Sequence, residues 1–549
     1  MTERSRLVTD WLLLAGFCAF LFFYGLSYFG LIGADEPRYA QIAREMLARH
    51  DWITPTLGGT PWLEKPALYY WQAMLAYGIF GVSDWAARLP SAVDATLMVF
   101  AVYFFLRRFR PGFELDGALI TASLAGVIGF ARAASMEMPL AAACAIALLA
   151  WFDWYESGSK RYLALFYGFL GFGMLAKGPL APFLAAVIIV VFAVVIRNIA
   201  AVVRTLWVPG IVLYFAVTLP WYVTVQVRNP EFFHVFFLQH NLARFATNLF
   251  HHAEPVWYFV PVLLLGLLPW TMFVVAAAVE TVRAWWEQRP ALCSGESLNV
   301  FLAIWILVPL LFFSFSQSKL PGYILPALPA GALLVAEYVR SRIAENARSD
   351  IFLAALHSIV AAAPIVPAMM LPFIVFQHRI PWGRWAAVSI AFSAVLAIGI
   401  TMTLRAHAGI RMLRLITLVP VVLCVAAILR LGAPSLDATL SARLLAEQIT
   451  KADSQRLPLA VLLVSRETEY GLQFYRNQNI ARYELGQVPS GEHLLVAPEG
   501  LQRNVEKRVT GRRVAYLGSF AVQGLDYYWV GESTQHAATA IQPDSGPKE

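Results

Sequence analysis

The residues best suited to chemistry lie in one polar stretch, residues 30 to 89, which follows the first hydrophobic segment. It opens with the run Gly33-Ala34-Asp35-Glu36-Pro37-Arg38-Tyr39. Pro37 suits the first turn of a helix, and an acid just before it can cap the free N–H groups of that turn. Asp35 and Glu36 are therefore either helix caps or acids available for catalysis, and this run alone leaves both open. The helix that follows has one apolar face, which predicts an amphipathic helix lying in a membrane surface.

The same stretch contains a second run, Trp62-Leu63-Glu64-Lys65-Pro66-Ala67-Leu68-Tyr69-Tyr70-Trp71. Lys65 stands among aromatic residues at the start of an apolar segment. An ammonium group in that place can hold a lipid phosphate as a compact point charge. The alternative is a lysine that extends from an aromatic belt into water and binds no substrate.

Single polar residues also stand at the ends of later hydrophobic segments, and they include Glu137, Lys177, Lys319 and Tyr323. The loop 228–256 is richer, with His234, His240, Asn241, Arg244, His251, His252 and Glu254. Its histidines could ligate a metal ion together with Glu64, although their spacings match no standard metal motif. A polar interfacial surface without a metal stays open as the alternative.

The composition of the whole chain places these residues in a membrane protein. Of 549 residues, 59% are hydrophobic and only 14% are charged, and the mean hydropathy is +0.61. Soluble proteins carry roughly 25% charged and about 45–50% apolar residues, so soluble, disordered and disulfide-rich secreted proteins are excluded. The net charge of +7 does not indicate a nucleic-acid partner, because the basic residues collect beside hydrophobic spans.

Hydropathy predicts about thirteen transmembrane helices. They lie near residues 11–32, 90–107, 115–132, 136–155, 162–177, 178–196, 205–226, 257–282, 299–316, 321–340, 351–376, 385–404 and 411–430. If the N-terminus is cytoplasmic, every predicted cytoplasmic connection carries arginine or lysine, as the positive-inside rule requires. The apolar segment 67–80 has only about 14 residues, which predicts a re-entrant or interfacial helix rather than a span. This topology puts residues 30–89, the loop 228–256 and the C-terminus on the outer face.

The last part of the chain, residues 431–549, predicts a small α/β domain on the outer side of the membrane domain, residues 1–430. We expect a helix over 436–449 and strands near 458–464, 493–497, 513–518 and 526–531. The domain contains no glycine-rich phosphate loop and no pattern of a catalytic triad. A regulatory or acceptor-side role is therefore favoured over catalysis.

The charged residues of the membrane domain gather at its outer surface. Ion-coupled transporters place ionisable residues at mid-membrane, and the predicted spans have almost none there. The outer surface instead offers a cleft with an apolar floor and with walls that include Asp35, Glu64, Lys65 and Lys319. Such a cleft suits a substrate with a lipid tail and an anionic head group.

These runs resemble those of a known family. The two runs above, together with Ala87-Arg88-Leu89-Pro90-Ser91 and Lys319-Leu320-Pro321-Gly322-Tyr323-Ile324-Leu325-Pro326, resemble the bacterial aminoarabinose (4-amino-4-deoxy-L-arabinose) transferases over residues 1–430. That family belongs to the GT-C superfamily of membrane glycosyltransferases and is related to the protein O-mannosyltransferases.

The resemblance implies an inverting glycosyltransferase of the bacterial inner membrane. It would move aminoarabinose from undecaprenyl phosphate to a lipid A phosphate at the periplasmic face, which gives resistance to polymyxin and other cationic peptides. Asp35 matches the first-loop acid of the family and Lys65 its donor-phosphate lysine, whereas Glu137 stands where relatives often have an aspartate. The candidate catalytic residues are Asp35, Glu64 and Lys65, and the candidate substrate-binding residues are Arg38, Tyr39, Glu137, Arg244, Lys319 and Tyr323. No cofactor is required, and a divalent cation held by Glu64, His251 and His252 stays an open alternative.

Two other functions stay open. A related enzyme would move another polyprenyl-linked sugar or use a protein hydroxyl as acceptor, and a lipid transporter is disfavoured because the charges lie at one face. The acceptor decides the role of Asp35. A hydroxyl acceptor needs a general base, whereas a phosphate monoester, with a second pKa of about 6, is already ionised at neutral pH. With lipid A as acceptor, Asp35 would act by orientation, gripping the ammonium group of the sugar or a bound cation.

Overall fold

The computed structural model describes residues 3–243, 254–287, 297–344, 350–373, 382–406, 409–453 and 455–532. Its larger part is helical. The α-helices of this part are Glu3–Cys18, Asp35–Ala48, Leu68–Phe80, Asp84–Phe109, Glu114–Ala122, Ala125–Ala131, Glu137–Ser157, Lys160–Lys177, Leu180–Val195, Ala200–Thr205, Val208–Arg228, Phe259–Gly266, Thr271–Glu287, Ser297–Ser314, Leu328–Ala344, Ile351–Ala362, Ile365–Met370, Trp382–Arg405 and Gly409–Ala427. Short π or 3₁₀ segments cover Ala19–Phe23, His234–Ala243, Val256–Tyr258, Pro321–Ala327 and Ile428–Gly432.

Within the described residues, nine helical segments are long and apolar enough to cross a membrane, and two bent helix pairs bring the number to eleven. The predicted number of about thirteen is therefore not confirmed. The remaining two predicted spans are also helices, but they are not counted among these segments. Lys160–Lys177 carries three basic residues at its ends, and Leu180–Val195 has only 16 residues.

The surface of these helices is itself apolar. Leu12, Val395 and Met402 are each more than two-thirds exposed, at 68%, 67% and 69%. An apolar surface of this extent is typical of helices that face lipid. The chain is therefore a multi-span membrane protein.

The first span begins and ends earlier than predicted, at Arg4–Phe23 rather than 11–32. It stops because Tyr24 is extended and Gly25 adopts a positive φ of 70°, a conformation that glycine tolerates and that ends a helix. Residues 24–34 consequently leave the helix and form the approach to the polar stretch.

The helix Asp35–Ala48, the first-loop helix, lies where the sequence indicates, but its apolar face is covered by protein. Tyr39, Ile42 and Met46 are buried against the helix Leu68–Phe80 and against a helix of the C-terminal domain. The prediction that this face lies in the membrane surface was therefore wrong. A helical pattern alone does not reveal whether lipid or a distant part of the chain covers the face.

The helix Leu68–Phe80 has 13 residues, or about 20 Å at 1.5 Å per residue, which is too short to cross a bilayer core of about 30 Å. The segment is helical as expected. That it does not cross stays a prediction.

The C-terminal α/β domain was predicted correctly in type. Its helices are Ala433–Leu440, Arg443–Ala452, Arg466–Arg476 and Gln502–Arg508. The strands β1 (Thr56–Leu57) and β2 (Thr60–Pro61) lie outside this domain and form a hairpin in the first loop. The domain itself contains β3 (Leu459–Val461), β4 (Ala481–Arg482), β5 (His493–Pro498), β6 (Val514–Phe520) and β7 (Leu525–Val530). The sheet order is β4-β3-β5-β7-β6, parallel from β4 to β5 and antiparallel from β5 to β6.

Two details of this domain differ from expectation. The short strand β4 was missed, and the single helix expected over 436–449 is split at Ser441, which is extended and pairs with Ile32. The π segment Ile428–Gly432 joins the last helix of the membrane part to Ala433–Leu440 in one continuous helical segment, Met412–Leu440, so the predicted boundary at 430/431 falls inside that segment.

Candidate active site

Asp35 is the first residue of the first-loop helix, and its side chain is 48% exposed. Arg38, one turn later, donates a hydrogen bond to its carboxylate. The Arg38 guanidinium lies over three rings, with its central carbon 5.0, 5.2 and 5.5 Å from the ring centres of Tyr39, Trp62 and Tyr470. We call these three rings the Arg38 cage. The three rings surround the guanidinium of Arg38, and the carboxylate of Asp35 that it contacts stays half exposed.

The electrostatics of the cage favour a charged arginine beside neutral phenols. Burial lowers the pKa of Arg38, but Tyr39, Asp35 and Glu64 outweigh burial and raise it above its usual value. Burial raises the pKa of Tyr39 and of Tyr70, so both hydroxyls stay protonated. Among the described residues, the buried hydroxyl of Tyr70 has no hydrogen-bond partner.

Glu36 has the opposite environment to Asp35. Its carboxylate accepts a hydrogen bond from Arg88 at 2.6 Å and bonds from the backbone N–H groups of Ile32 and Ala134 at 2.8 and 2.7 Å. Arg88 in turn donates to the carbonyls of Leu26, Phe29 and Gly30. The pair is buried, with side-chain exposures of 8% and 1%. Glu36 therefore holds the backbone around Asp35, and it does not act as a helix cap.

Lys65 and Glu64 follow the β1–β2 hairpin, and both line a cavity of about 420 Å³, the lysine cavity. Its other polar residues are Lys177, His240, Ser316, Ser318 and Tyr323, and its apolar walls include Phe183, Phe236, Phe237, Phe312 and Phe313. Two lysines in an aromatic pocket can bind an anionic head group whose apolar tail lies along the phenylalanines.

Glu137 begins the helix Glu137–Ser157 and forms an ion pair with Lys177, Oε1 to Nζ 2.7 Å. Lys177 also lies 4.6 Å from the ring centre of Tyr323. Next to them, a Cβ on Gly322 would come within 2.5 Å of the Glu137 side chain and 2.8 Å of the Phe130 ring. Only glycine fits at this position, which lets the chain pass close to the ion pair.

A second cavity of about 600 Å³, the acid cavity, lies on the other side of this ion pair. Its polar residues are Asp35, Glu36, Arg88, Arg132, Ser123, Ser135 and Glu137, set among apolar side chains. Because Glu137 lines the acid cavity and Lys177 the lysine cavity, their ion pair separates the two cavities. Asp35 and Lys65 thus line different cavities.

The other predicted site residues either bond to the backbone of neighbouring loops or lie outside the described residues. Lys319 is buried and donates to the carbonyls of Glu254 and Ser316 at 3.0 and 2.5 Å, so it holds loops together beside the lysine cavity. Arg244, His251 and His252 lie outside the described residues. In the described part of the chain, no group of three His, Cys, Asp or Glu side chains is placed to hold a metal ion. His240 Nε2 lies 3.7 Å from Glu64 Oε1, which brings two possible ligands together.

Comparison with known proteins shows what this chain is similar to in sequence and in fold. Residues 64–223 match the sequence profile of the family described as dolichyl-phosphate-mannose-protein mannosyltransferase. The undecaprenyl phosphate-alpha-4-amino-4-deoxy-L-arabinose arabinosyl transferase of Pseudomonas aeruginosa is 32% identical over 409 residues, which cover 70% of this chain and 72% of the relative. The chain belongs to this aminoarabinose transferase family.

Another relative and a solved structure extend the comparison. The aminoarabinose transferase of Serratia proteamaculans is 33% identical over 62% of this chain and 61% of its own length. The crystal structure of ArnT from Cupriavidus metallidurans bound to undecaprenyl phosphate has a TM-score of 0.75 at 21% identity, covering 98% of this chain and 99% of that one. The fold of this chain is therefore the fold of ArnT over nearly the whole length of both chains.

Sequence reasoning about this member of the aminoarabinose transferase family gave no role to three residues of the site, Lys177, Arg88 and Tyr470. Lys177 carried a weak signal because it stands in a polar connection, and His240 was considered only as one of the loop histidines that could ligate a metal ion. Arg88 stands in the run 87–91 that carried the resemblance, and its burial was not visible there. Tyr470 gave no signal, because it lies in a different domain from Arg38.

Proposed function

We propose that this protein transfers 4-amino-4-deoxy-L-arabinose from undecaprenyl phosphate to a phosphate of lipid A, with inversion at the anomeric carbon. Membership of the aminoarabinose transferase family supports the reaction class. The observation that carries the proposal is the pair of cavities that meet at Glu137 and Lys177 and contain Lys65 on one side and Asp35 on the other.

The lysine cavity suits the donor. Its two lysines can bind the phosphate of the donor, and its phenylalanines can accommodate the polyprenyl tail. The electron pair of that bond leaves with the undecaprenyl phosphate, so negative charge grows there as the bond breaks. A cation already in place, Lys65, stabilises this charge without having to move during the reaction.

The acid cavity suits the acceptor. An oxygen of the lipid A phosphate forms the new bond to the anomeric carbon from the side opposite the leaving group, and it needs no general base because it is ionised at neutral pH. Asp35 is half exposed at this cavity and can bind the ammonium group of the sugar. Its role is to orient the sugar, and Arg38 keeps it in place.

Mass spectrometry of lipid A tests the function. Full-length protein in lipid nanodiscs, given undecaprenyl phosphate-linked aminoarabinose and lipid A, is expected to add one aminopentose residue to lipid A. Transfer of another polyprenyl-linked sugar, or transfer to a serine or threonine peptide, would favour the related glycosyltransferase. Movement of the donor lipid across vesicles without any transfer would instead favour a lipid transporter.

We propose further that the site and the C-terminal domain face the periplasm. The basic residues at the opposite ends of the spans support this orientation. Alkaline phosphatase fused to the C-terminus of the full chain should be active, and green fluorescent protein fused there should not fluoresce. The reverse result would place the site on the cytoplasmic side and contradict the proposal.

A further inference from the structure

The C-terminal domain contacts the residues on both sides of Asp35. Upstream of it, the hydroxyl of Tyr475 accepts a hydrogen bond from the N–H of Leu31 at 2.7 Å and donates one to Asp84 at 2.8 Å. Asp437 accepts a bond from the N–H of Gly30 at 2.8 Å. The chain that leads into Asp35 is therefore bonded to the C-terminal domain at consecutive residues.

An arginine and a close approach strengthen this contact. Arg443 forms ion pairs with Asp437 at 2.6 Å and with Asp84 at 3.0 Å, joining the C-terminal domain to the helix Asp84–Phe109. A Cβ on Gly30 would come within 2.3 Å of Ser441 and 2.5 Å of the Tyr475 hydroxyl. The two parts of the chain are thus in direct contact, with no room for a side chain at Gly30.

Downstream of Asp35, the helix Arg466–Arg476 packs along the first-loop helix. Phe474 is buried in the same cluster as the apolar face of that helix, and Arg44 donates to the Phe474 carbonyl at 3.1 Å. This packing brings Tyr470 to the Arg38 guanidinium, 5.5 Å from guanidinium carbon to ring centre. The C-terminal domain thereby supplies one of the three rings of the Arg38 cage.

Within the described part of the chain, Arg38 makes hydrogen bonds at only one end of its guanidinium group, so the surrounding rings contribute to holding it in place. Among the described residues, its Nε is buried and has no hydrogen-bond partner. Its bonds run through Nη2, to Asp35 and, at 3.4 Å, to the hydroxyl of Tyr39. A guanidinium bonded at one end can rotate, and stacking on aromatic faces restrains that rotation because it fixes the plane of the group.

We propose that Tyr470 is a positioning residue of the transfer reaction, which holds Asp35 in its working orientation by restraining Arg38. The proposal rests on the proposed function and goes beyond it, since it makes the C-terminal domain part of the active site. What Tyr470 supplies is its aromatic face. An aromatic substitute should therefore replace it, whereas an aliphatic side chain of similar volume should not.

The test compares Tyr470→Leu with Tyr470→Phe and Tyr470→Trp in the full-length protein, using the lipid A transfer assay. A cation–π contact of about 1–2 kcal/mol corresponds to roughly a 5- to 30-fold change. We expect kcat of Tyr470→Leu to fall by that factor with the KM for donor unchanged, and both aromatic variants to stay within about twofold of the wild type. The matched control is Tyr516→Leu, on the edge strand β6, which should keep wild-type activity.

Coupling to Arg38 separates positioning from a general structural role. If Tyr470 acts through Arg38, then Tyr470→Leu should cause little further loss of activity in an Arg38→Gln background, which has no cation for the ring to restrain. Additive losses, a Tyr470→Phe variant as impaired as Tyr470→Leu, or a fully active Tyr470→Leu would each overturn the proposal. Should Tyr470→Leu fail to fold, Tyr470→Met replaces it in the same comparison. An inactive wild-type protein would count against the proposed function instead.

Discussion

Asp35 and Glu36 are adjacent acids on one helix, and the surroundings of each give it a different role. Asp35 has a half-exposed carboxylate at the acid cavity, whereas Glu36 is 8% exposed and accepts bonds from Arg88 and two backbone N–H groups. A carboxylate with all its bonds made to protein stabilises the fold. One that keeps an open side can bind a substrate. Of these two consecutive acids, Glu36 stabilises the fold and Asp35 is available to bind a substrate.

The comparison predicts that the largest effect comes from Glu36→Gln and that it is an effect on stability. Removing the charge leaves Arg88 buried without its counter-ion, which typically costs about 3–5 kcal/mol of unfolding free energy. Denaturant unfolding of the purified protein in detergent measures this. Asp35→Asn is the neighbouring control, and we expect its unfolding free energy to stay within about 0.5 kcal/mol of the wild type.

A double variant sharpens this prediction. Replacing both Glu36 and Arg88 by methionine removes the ion pair, but it also removes the partners of two N–H groups and three carbonyls. We therefore expect the double variant to remain destabilised, since buried backbone groups would lose their bonds. Wild-type stability in either variant would show that Glu36 is as free as Asp35.

Lys65→Ala should produce the next largest effect, on the rate. Loss of a cation placed at the leaving phosphate corresponds to about 10²–10³ in kcat. The transfer assay measures it, with protein yield and unfolding checked in parallel. Lys160→Ala, an exposed lysine at the start of the helix Lys160–Lys177, is the control that should retain full activity. Wild-type turnover in Lys65→Ala would leave Lys65 as a lysine that only extends to the membrane surface.

Asp35→Asn should lower the rate by about 10², the order expected when a group that orients the substrate is lost. With lipid A as acceptor, the pH dependence of the wild-type rate should follow the second ionisation of the acceptor phosphate, near pH 6. A pH–rate profile measured with phosphate and with hydroxyl acceptors distinguishes the roles. A profile with the lipid A acceptor that follows an enzyme carboxylate instead would make Asp35 a general base.

Metal removal should have the smallest effect. Transfer to an ionised phosphate needs neither a base nor a metal-bound nucleophile, so we expect unchanged activity after chelation, with metal content checked by mass spectrometry. Glu64 and His240 are the described residues that would bind a cation if one takes part. Activity lost on chelation and restored by a divalent metal would contradict this expectation and assign them that role.

Much of this protein follows from sequence alone, because composition, hydropathy and short motifs are local properties. A charged fraction of 14% beside 59% hydrophobic residues indicates a membrane protein, and the change of pattern after residue 430 indicates a separate α/β domain. The first-loop runs single out Asp35, Glu64 and Lys65 because acids and a lysine beside aromatic residues at a membrane surface suit an anionic lipid. The number of spans does not follow from hydropathy alone, because a hydropathy window does not detect a bend between two helices and charged helix ends change its mean value.

Only the tertiary structure decided which of these residues are free to act. Whether Asp35 or Glu36 is available depends on Arg88, 52 residues away in the chain from Glu36, and the partner of Glu137 is Lys177, 40 residues away. Tyr470 reaches Arg38 from another domain. Such pairings depend on how helices pack rather than on local propensity, and the burial that packing creates determines whether a charge holds the fold or meets a substrate.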